Sequence, residues 1–473
     1  MEELSSDDFE LPWKRRSSTP AAAAPHLVIA WSLEEPDRVG ESAPIPSRGG
    51  LLGRGHTADD DAIERLSFGR RRPGEEGHTP PLDGSRISRQ QLRLVPVGDG
   101  ELEVESLGRC PLAVNGVPVQ KARIKAGDTL TLRNAMVLLF VTRRSDPGRD
   151  TGGQFPFGQA DAHGMVGESS AAWELRRALA FAARSSEHVL LLGESGAGKE
   201  LAARAIHAMS ERGTRSITTR NAATFPESLV DAELFGTARN YPNPGMPERP
   251  GLIGEANGST LFLDEIGELS HTMQAHLLRV LDRGGEYQRL GDSRRMTADL
   301  RLVAATNRDA STLKHDFAAR LPLRIKLPGL NERLDDLPLL IRHLLLRLCQ
   351  STGNLLDRFF ERRAGNVAEP RIDPDLVELL LRHRYTTHTR ELERLLWLAL
   401  STSPDDYVAA TDELRAELGN AVNETEIEPD RAAIESALET AKGNVTRATR
   451  LLGLRNRYVL YRLMRKVGLP TRD

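Results

Sequence analysis

A glycine-rich segment at residues 193–200 has the residue types and the spacing of a phosphate-binding loop. It reads GESGAGKE and follows the apolar run 189–192, so a strand, a loop and a helix are expected in that order. Glycines let backbone N–H groups surround a phosphate, the helix N-terminus adds partial positive charge, and the lysine supplies a mobile cation. The residues expected to contact the nucleotide are Gly193, Glu194, Ser195, Gly196, Ala197, Gly198, Lys199 and Glu200. Glu200 stands where such loops usually carry the serine or threonine that binds magnesium.

Two carboxylates follow a second apolar run. Residues 260–263 lead directly into Asp264 and Glu265, and the carboxyl ends of parallel strands meet at one edge of a sheet. Asp264 can hold Mg²⁺ through water, and Glu265 can polarise the water that attacks a phosphate. Acidic pairs at strand ends are common on protein surfaces, but this pair follows a phosphate loop. We therefore predict a site that hydrolyses a nucleotide with the help of Mg²⁺.

The elements that must position these residues alternate as a parallel α/β fold requires. Apolar runs at 189–192, 260–263 and 300–304 are separated by helical stretches, and the residues after 330 are mainly helical. Before them, short β-type runs between Gly, Pro and Asp turns predict an all-β sandwich. The expected divisions are 1–25 disordered leader, 26–144 β-sandwich, 145–162 linker, 163–330 α/β subdomain, 331–403 helical subdomain, 404–430 acidic connector and 431–473 all-α DNA-binding domain.

Composition excludes several classes of protein. A net charge of -3 over 473 residues gives no whole-chain argument for nucleic-acid binding, so any basic surface must be local. The two cysteines, Cys110 and Cys349, are far apart, which fits a reduced compartment and packing roles. No apolar run reaches about 18 residues, and the N-terminus lacks the features of a signal peptide. We expect a cytoplasmic protein without a membrane partner.

The local basic surface lies at the end of the chain. Residues 441–472 carry nine Lys or Arg side chains and no acidic ones, whereas residues 405–430 carry nine acidic side chains and one Arg. Gly453 permits a turn, after which residues 455–466 are expected to form a recognition helix. The side chains expected to contact DNA are Arg447, Arg455, Arg457, Tyr458, Arg462, Arg465 and Lys466.

The central region resembles the AAA+ domain of bacterial enhancer-binding proteins, the sigma-54-dependent transcription activators. The resemblance covers residues 165–400 and rests on several long motifs in the family's order. These are MVGES at 165–169, GESGAGKE at 193–200, DAELFG at 231–236, LFLDEIGEL at 261–269 and AATNRD at 304–309. It implies a multidomain ATPase that uses ATP and Mg²⁺ to regulate transcription by sigma-54 RNA polymerase.

The resemblance also implies roles for individual residues. Val166 and Gly167 are expected in the nucleotide site, Asn221 is similar to the asparagine that restrains the catalytic glutamate, and Asn307 is the sensor beside the γ-phosphate. Arg390 resembles the second sensor. Arg320 resembles the arginine finger that reaches into a neighbour's site, which implies self-assembly into a dimer or a hexameric ring.

One departure from the family leaves a second function open, and another implies slow hydrolysis. The loop that contacts sigma-54 in this family reads GAFTGA, whereas residues 240–245 read NYPNPG, and Lys314 stands where a first finger arginine is expected. The alternative is a DNA-binding regulator or repressor that binds ATP for assembly and does not activate sigma-54 polymerase. A metabolic P-loop kinase would explain neither flanking domain.

Both flanking domains carry resemblances of their own. Residues 431–473 resemble the Fis-type helix-turn-helix that ends most activators of this family, which implies DNA as a partner. Residues 26–144 resemble a forkhead-associated (FHA) domain, a reader of phosphothreonine peptides, which implies a phosphothreonine protein or a Ser/Thr kinase as partner. Its phosphate ligands would be Arg54, Ser88 and Arg89.

Three positions in the β-domain keep other interpretations open. An alternative alignment makes Arg70, rather than Arg54, the first phosphate-binding arginine. Gln91 replaces the usual histidine, and Cys110 occupies the place of the peptide-binding asparagine. A purely structural β-sandwich is the alternative to a phosphopeptide reader. Asn115 precedes Gly116 and is expected to be a turn residue rather than a ligand contact.

Overall fold

The computed structural model describes residues 23–55, 63–72, 75–98, 100–144, 155–226, 228–282, 284–362 and 368–425, with isolated positions between 431 and 469. The chain divides into two compact units, Met1–Ala409 and Ala410–Asp473. The first unit contains the β-domain, the α/β subdomain and the helical subdomain. No helix among the described residues is long and apolar enough to cross a membrane.

The β-domain is a sandwich of two sheets, as the sequence predicts. The larger sheet has the strand order β5-β4-β2-β1-β12-β11-β8-β9, and the smaller sheet has the order β10-β7-β6-β3. The strands are β1 Ala23–Ser32, β2 Ser42–Pro44, β3 Gly50–Leu52, β4 Gly69–Arg72, β5 Glu75–His78, β6 Leu92–Gly98, β7 Glu101–Ser106, β8 Leu112–Val114, β9 Val117–Val119, β10 Lys121–Ile124, β11 Thr129–Leu132 and β12 Met136–Arg144.

Alternating apolar side chains explain why these strands pack as a sandwich. In β6 and β7, Leu92, Leu94, Leu102 and Val104 face the common core and are almost completely buried. Strand β1 begins at Ala23, three residues before the expected start of the domain. Asn115 adopts a positive φ in the turn between β8 and β9, and its side chain bonds to Asp128 and Thr129, as expected of a turn residue.

The α/β subdomain is built on a five-stranded parallel sheet with the order β14-β15-β18-β13-β19. Its strands are β13 Val189–Leu192, β14 Thr218–Asn221, β15 Thr260–Asp264, β18 Arg301–Thr306 and β19 Leu323–Lys326, with a separate hairpin of β16 Glu286–Tyr287 and β17 Met296–Thr297. The helices are α1 Ser170–Ala183, α2 Lys199–Ala208, α3 Val230–Phe235, α4 Gly251–Glu255, α5 His271–Leu281 and α6 His315–Ala319. The central strands are apolar along nearly their whole length because both faces of the sheet are covered.

The helical subdomain follows the sheet. It contains α7 Leu337–Gln350, α8 Leu355–Phe359, β20 Phe360–Arg362, β21 Ala368–Pro370, α9 Pro374–Arg382 and α10 His388–Thr402. The small hairpin of β20 and β21 was not anticipated. Buried leucines on α7, α9 and α10 supply the core of this subdomain.

The second unit begins with a helix where a solvated connector was expected. Residues Asp412–Thr425 form α11, with two acidic residues in its first turn, where they complement the helix dipole. Leu414 and Leu418 lie one turn apart and are buried, which gives the helix an apolar contact. The expected DNA-contacting residues from Arg447 to Lys466 lie outside the described residues.

Candidate nucleotide site and phosphate site

The phosphate loop lies between β13 and α2, where the sequence predicts it. Gly196 and Gly198 have positive φ angles of 79° and 96°, a region that favours glycine. A Cβ atom on Gly196 would lie 2.1 Å from the carbonyl oxygen of Thr387. The loop therefore needs glycine at this position for its own conformation and for close contact with the helical subdomain.

The lysine of the loop is buried and held by backbone. The ammonium group of Lys199 donates to the carbonyl oxygens of Gly193 and Glu194, at 2.9 and 3.2 Å. Its Nζ also lies 3.9 Å from Oε1 of Glu265. A phosphate in the loop would offer this cation stronger acceptors than two neutral carbonyl groups.

The two carboxylates and a predicted asparagine meet at the carboxyl edge of the sheet. Asn221 ends β14 and pairs in register with Asp264, which ends β15. Glu265 follows with a φ of 51°, an uncommon conformation for a residue other than glycine, and its N–H donates to Asp264 Oδ1 at 2.9 Å. Asn307 comes directly after β18, between β15 and β13 in the sheet, and is exposed. Parallel pairing thus brings Asp264, Glu265, Asn221 and Asn307 to the edge that carries the phosphate loop.

The helical subdomain closes on the phosphate loop through the first turn of α10. Arg390 donates from Nη1 to Ser195 Oγ at 3.0 Å, and Thr389 Oγ1 donates to the carbonyl oxygen of Gly196 at 2.5 Å. The expected second sensor therefore contacts the loop directly. A change in the loop on nucleotide binding would therefore be transmitted directly to α10.

Two further residues at this contact escaped the sequence analysis. His388, with a φ of 49°, places Nε2 3.0 Å from Oε2 of Glu194 in the loop. Glu391 accepts hydrogen bonds from the backbone of Thr386 and Thr387 and from His383 Nε2. Burial alone would raise the pKa of Glu391, but these hydrogen bonds lower it to about 2. For Glu391, a detectable signal in the sequence was a pair of threonines four and five residues before a carboxylate at a helix start.

Arg320 lies on the surface rather than in the phosphate loop of its own subunit. Its guanidinium pairs with Asp282 at 2.6 Å, and about half of each side chain is exposed. Residues 240–246 form a closed turn, in which Asn240 Oδ1 accepts from Gly245 N–H and the Tyr241–Pro242 peptide bond is cis. Tyr241 and Met246 are partly exposed on this turn.

In the β-domain, the structure brings Arg54 to the Ser88 loop. The N–H of Arg54 donates to the carbonyl oxygen of Ser88 at 3.1 Å, and a Cβ atom on Gly53 would lie 1.9 Å from the carbonyl oxygen of Arg89. Ser88 Oγ accepts from the N–H of Arg109, and Arg89 is exposed. The buried Nε of Arg54 has no hydrogen-bond partner among the described residues. The backbone of Arg54 and the loop that carries Ser88 and Arg89 therefore lie side by side.

The rival arginine lies elsewhere in the sandwich. Arg70 is on β4 of the larger sheet and pairs with Glu41 and Asp37. Gln91 is fully buried and donates to the carbonyl oxygen of Cys110 at 2.8 Å, so it stabilises the loop rather than facing a ligand. Cys110 and Cys349 are both free and buried, in agreement with packing roles.

Comparison with known families assigns both domains of the first unit. Residues 165–330 match the Sigma-54 interaction domain, and residues 66–133 match the FHA domain. The FHA match includes Arg70, Ser88 and Arg89 and begins after Arg54, whereas the structure joins Arg54 to the Ser88 loop. These matches define a transcriptional regulator with a sigma-54 interaction domain and an FHA domain.

Two relatives, ZraR and NorR, agree with this class. The transcriptional regulatory protein ZraR of Salmonella typhimurium is 34% identical, over 67% of this chain and 72% of ZraR. The anaerobic nitric oxide reductase transcription regulator NorR of Aeromonas hydrophila is 32% identical, over 73% of this chain and 69% of NorR. The crystal structure of NtrX from Brucella abortus with ADP is 29% identical, with a TM-score of 0.46, over 65% of this chain and 70% of NtrX. The chain belongs to the family of sigma-54-dependent transcriptional regulators.

Proposed function

We propose that this regulator binds ATP and Mg²⁺ at the phosphate loop and hydrolyses ATP to remodel sigma-54 RNA polymerase. The observation that carries the proposal is the meeting of Lys199, Asp264 and Glu265 at one edge of the parallel sheet. Backbone N–H groups of residues 193–198 would hold the phosphates, and Lys199 would neutralise their charge. Residues Val166 and Gly167 would line the base end of the nucleotide.

The two carboxylates would have different roles in hydrolysis. Asp264 would hold Mg²⁺ through water, and Glu200 leaves the loop without its usual hydroxyl ligand. Glu265 would accept hydrogen bonds from the attacking water and orient it toward the γ-phosphate, and Asn221 would restrain that glutamate. Asn307 and Arg390 would contact the γ-phosphate and report its presence to the helical subdomain, while Arg320 would stabilise transition-state charge in a neighbouring subunit.

Promoter opening tests the proposal as a whole. We expect the wild-type protein to give ATP-dependent open complexes with sigma-54 polymerase, and the Glu265→Gln variant to give none, because binding without hydrolysis cannot drive remodelling. The measurement is permanganate footprinting of a sigma-54 promoter. ATP hydrolysis by the wild type without any open complex would instead support the second candidate, a DNA-bound regulator that uses ATP only for assembly. The altered loop at 240–245 is the observation that favours this candidate.

The proposal places DNA and a phosphothreonine protein at the two ends of the chain. The basic segment 441–472 would bind DNA through a Fis-type helix-turn-helix and hold the regulator near its promoter. The β-domain would bind phosphothreonine through Arg54, Ser88 and Arg89, with a Ser/Thr kinase as the source of the signal. The unpartnered Nε of Arg54, a residue whose backbone N–H bonds to Ser88, supports this assignment.

Replacing Arg54 tests the phosphate site. We expect Arg54→Ala to weaken binding of phosphothreonine peptides by about tenfold or more, since a charge-assisted hydrogen bond to phosphate is lost. Arg70→Ala is the matched control, because Arg70 is already paired with Glu41 and Asp37. Fluorescence anisotropy with a labelled phosphothreonine peptide library, and with its unphosphorylated counterpart, provides the measurement. A loss of phosphopeptide binding in Arg70→Ala alone would identify Arg70 as the phosphate ligand.

A further inference from the structure

The β-domain contacts the α/β subdomain through Arg72, on the hairpin of β4 and β5. Arg72, on β4, donates from Nε to Oε2 of Glu168 at 3.0 Å, and its Nη2 bonds to the other carboxylate oxygen. Glu168 also accepts from Trp173 Nε1 at 3.1 Å and from the N–H of Gly158 at 2.9 Å. Both members of the ion pair are at most 9% exposed. This contact is a fully bonded, desolvated pair rather than a surface bridge.

Aromatic rings extend the contact to a second arginine. The guanidinium of Arg72 lies 4.4 Å from the Phe155 ring and 5.7 Å from the Trp173 ring. Arg176 lies over the same two rings, at 5.1 and 4.8 Å. Arg176 in turn donates to the carbonyl oxygens of Gly167 and Met165, at 2.8 and 3.0 Å. The cluster therefore joins the β-domain to the backbone of residues 165–168.

Residues 164 and 165 lie near α2, the helix that follows the phosphate loop. Met165 packs against the core cluster that contains Ala197 of the loop and Ala202 of α2. A Cβ atom on Gly164 would lie 3.4 Å from Leu201, one residue after Glu200. A displacement of this segment would therefore reach α2, which begins at Lys199.

The β-domain supports the same segment from a second side. The carboxylate of Asp336 accepts from the N–H groups of Glu168 and Ser169 at 2.6 and 2.7 Å. Its neighbour Asp335 accepts from Arg143, on β12, at 2.8 Å. Residues 335 and 336 join the sheet to the helical subdomain. Two arginines of the β-domain therefore contact this network, Arg72 at Glu168 and Arg143 at Asp335.

We propose that Arg72 is a positioning residue for the nucleotide site, and that the β-domain sets nucleotide affinity through the Arg72–Glu168 pair. The inference rests on the proposed nucleotide site and adds a regulatory input to it. With the pair intact, residues 165–168 are held against α2 in the conformation that accepts nucleotide. Loss of the pair leaves the buried carboxylate of Glu168 without its cation and releases this segment.

Nucleotide affinity of the full chain is the measurement. We expect Arg72→Ala to weaken binding of a fluorescent ADP analogue by about fivefold, the lower range of coupling between linked sites. Because Arg72 does not reach the phosphate-reacting residues, KM for ATP should rise while kcat stays within about twofold of wild type. Arg72→Lys should restore only part of the affinity, since an ammonium group cannot bond both carboxylate oxygens in the planar geometry of a guanidinium.

Arg71→Ala is the matched control. Arg71 lies on the same hairpin and donates to the carbonyl oxygen of Ser42 inside the β-domain. We expect this variant to bind the ADP analogue as the wild type does. Thermal unfolding of each variant, with and without ADP, separates a loss of affinity from a loss of folded protein.

Three outcomes are decisive. The proposal is supported if Arg72→Ala binds the ADP analogue more weakly, Arg72→Lys recovers part of the affinity and Arg71→Ala keeps the wild-type affinity. Unchanged affinity in a folded Arg72→Ala protein, or an equal loss in Arg71→Ala, overturns it and leaves the proposed nucleotide site intact. A wild-type chain that binds no ADP overturns the proposed function as well.

Discussion

The Glu265→Gln variant is expected to hydrolyse ATP at least about 100-fold more slowly than the wild type, while its affinity for ATP is kept. Glutamine keeps the size of the side chain but cannot accept a proton from, or orient, the attacking water as a carboxylate does. Loss of the negative charge 3.9 Å from Lys199 Nζ should not weaken binding of an anionic nucleotide. Phosphate release measured together with fluorescent ATP binding separates the two effects.

Glu268→Gln is the matched control for this experiment. Glu268 lies three residues later in the 3-10 turn and pairs with Arg308 on the surface. The same chemical change there should leave the hydrolysis rate near that of the wild type. An equal loss in both variants would show that the turn as a whole, rather than the Glu265 carboxylate, supports hydrolysis.

Mixing two inactive variants should restore hydrolysis if Arg320 acts in a neighbouring subunit. Arg320→Ala keeps Glu265, and Glu265→Gln keeps Arg320, so an interface between the two variants contains one complete site. With random equal mixing, about a quarter of the interfaces are complete, and we expect about a quarter of the wild-type rate. The structure supports this design because Arg320 is half exposed and pairs with Asp282 on the surface.

The rate as a function of the mixing ratio is the measurement for this second experiment. It should be highest near equal amounts and fall toward zero with either variant alone. Gel filtration of each variant with ADP establishes that both still assemble. Assembled mixtures without any recovery would argue that Arg320 does not complete a neighbour's site.

The edge of the parallel sheet was predictable because its signals are local. Strands buried on both faces are short apolar runs, and the run of β15 ends in Asp264, one of the predicted site residues. The loop glycines and Lys199 also lie within one contiguous motif. Their meeting at one edge then followed from the rule that parallel strands bring their carboxyl ends together.

Contacts between distant parts of the chain were not predictable from local pattern. Arg72 and Glu168 are 96 residues apart in sequence, and nothing in the run of three arginines at 70–72 distinguishes the one that leaves the β-domain. The expected linker 145–162 likewise contains Phe155, which packs between Arg72 and Arg176. His388 and Glu391 were missed because their roles depend on how the helical subdomain meets the phosphate loop.

Composition was misleading for the segment after 404. Nine acidic residues suggested a solvated connector, yet Asp412–Thr425 is helical. The acidic residues at its start stabilise the helix by interacting with the positive end of its dipole. Two buried leucines give the helix a packed face. Net charge indicates exposure better than it indicates backbone conformation.

The hairpin of β4 and β5 has a consequence for protein engineering. Exchanging the input domain at the linker would treat the two halves of the chain as independent parts. Here a foreign input domain in place of residues 23–144 would lack Arg72 and Arg143 and would leave the carboxylates of Glu168 and Asp335 without these cations. A working hybrid would have to keep Arg72 and Arg143 with the output domain, or neutralise both carboxylates at the new junction.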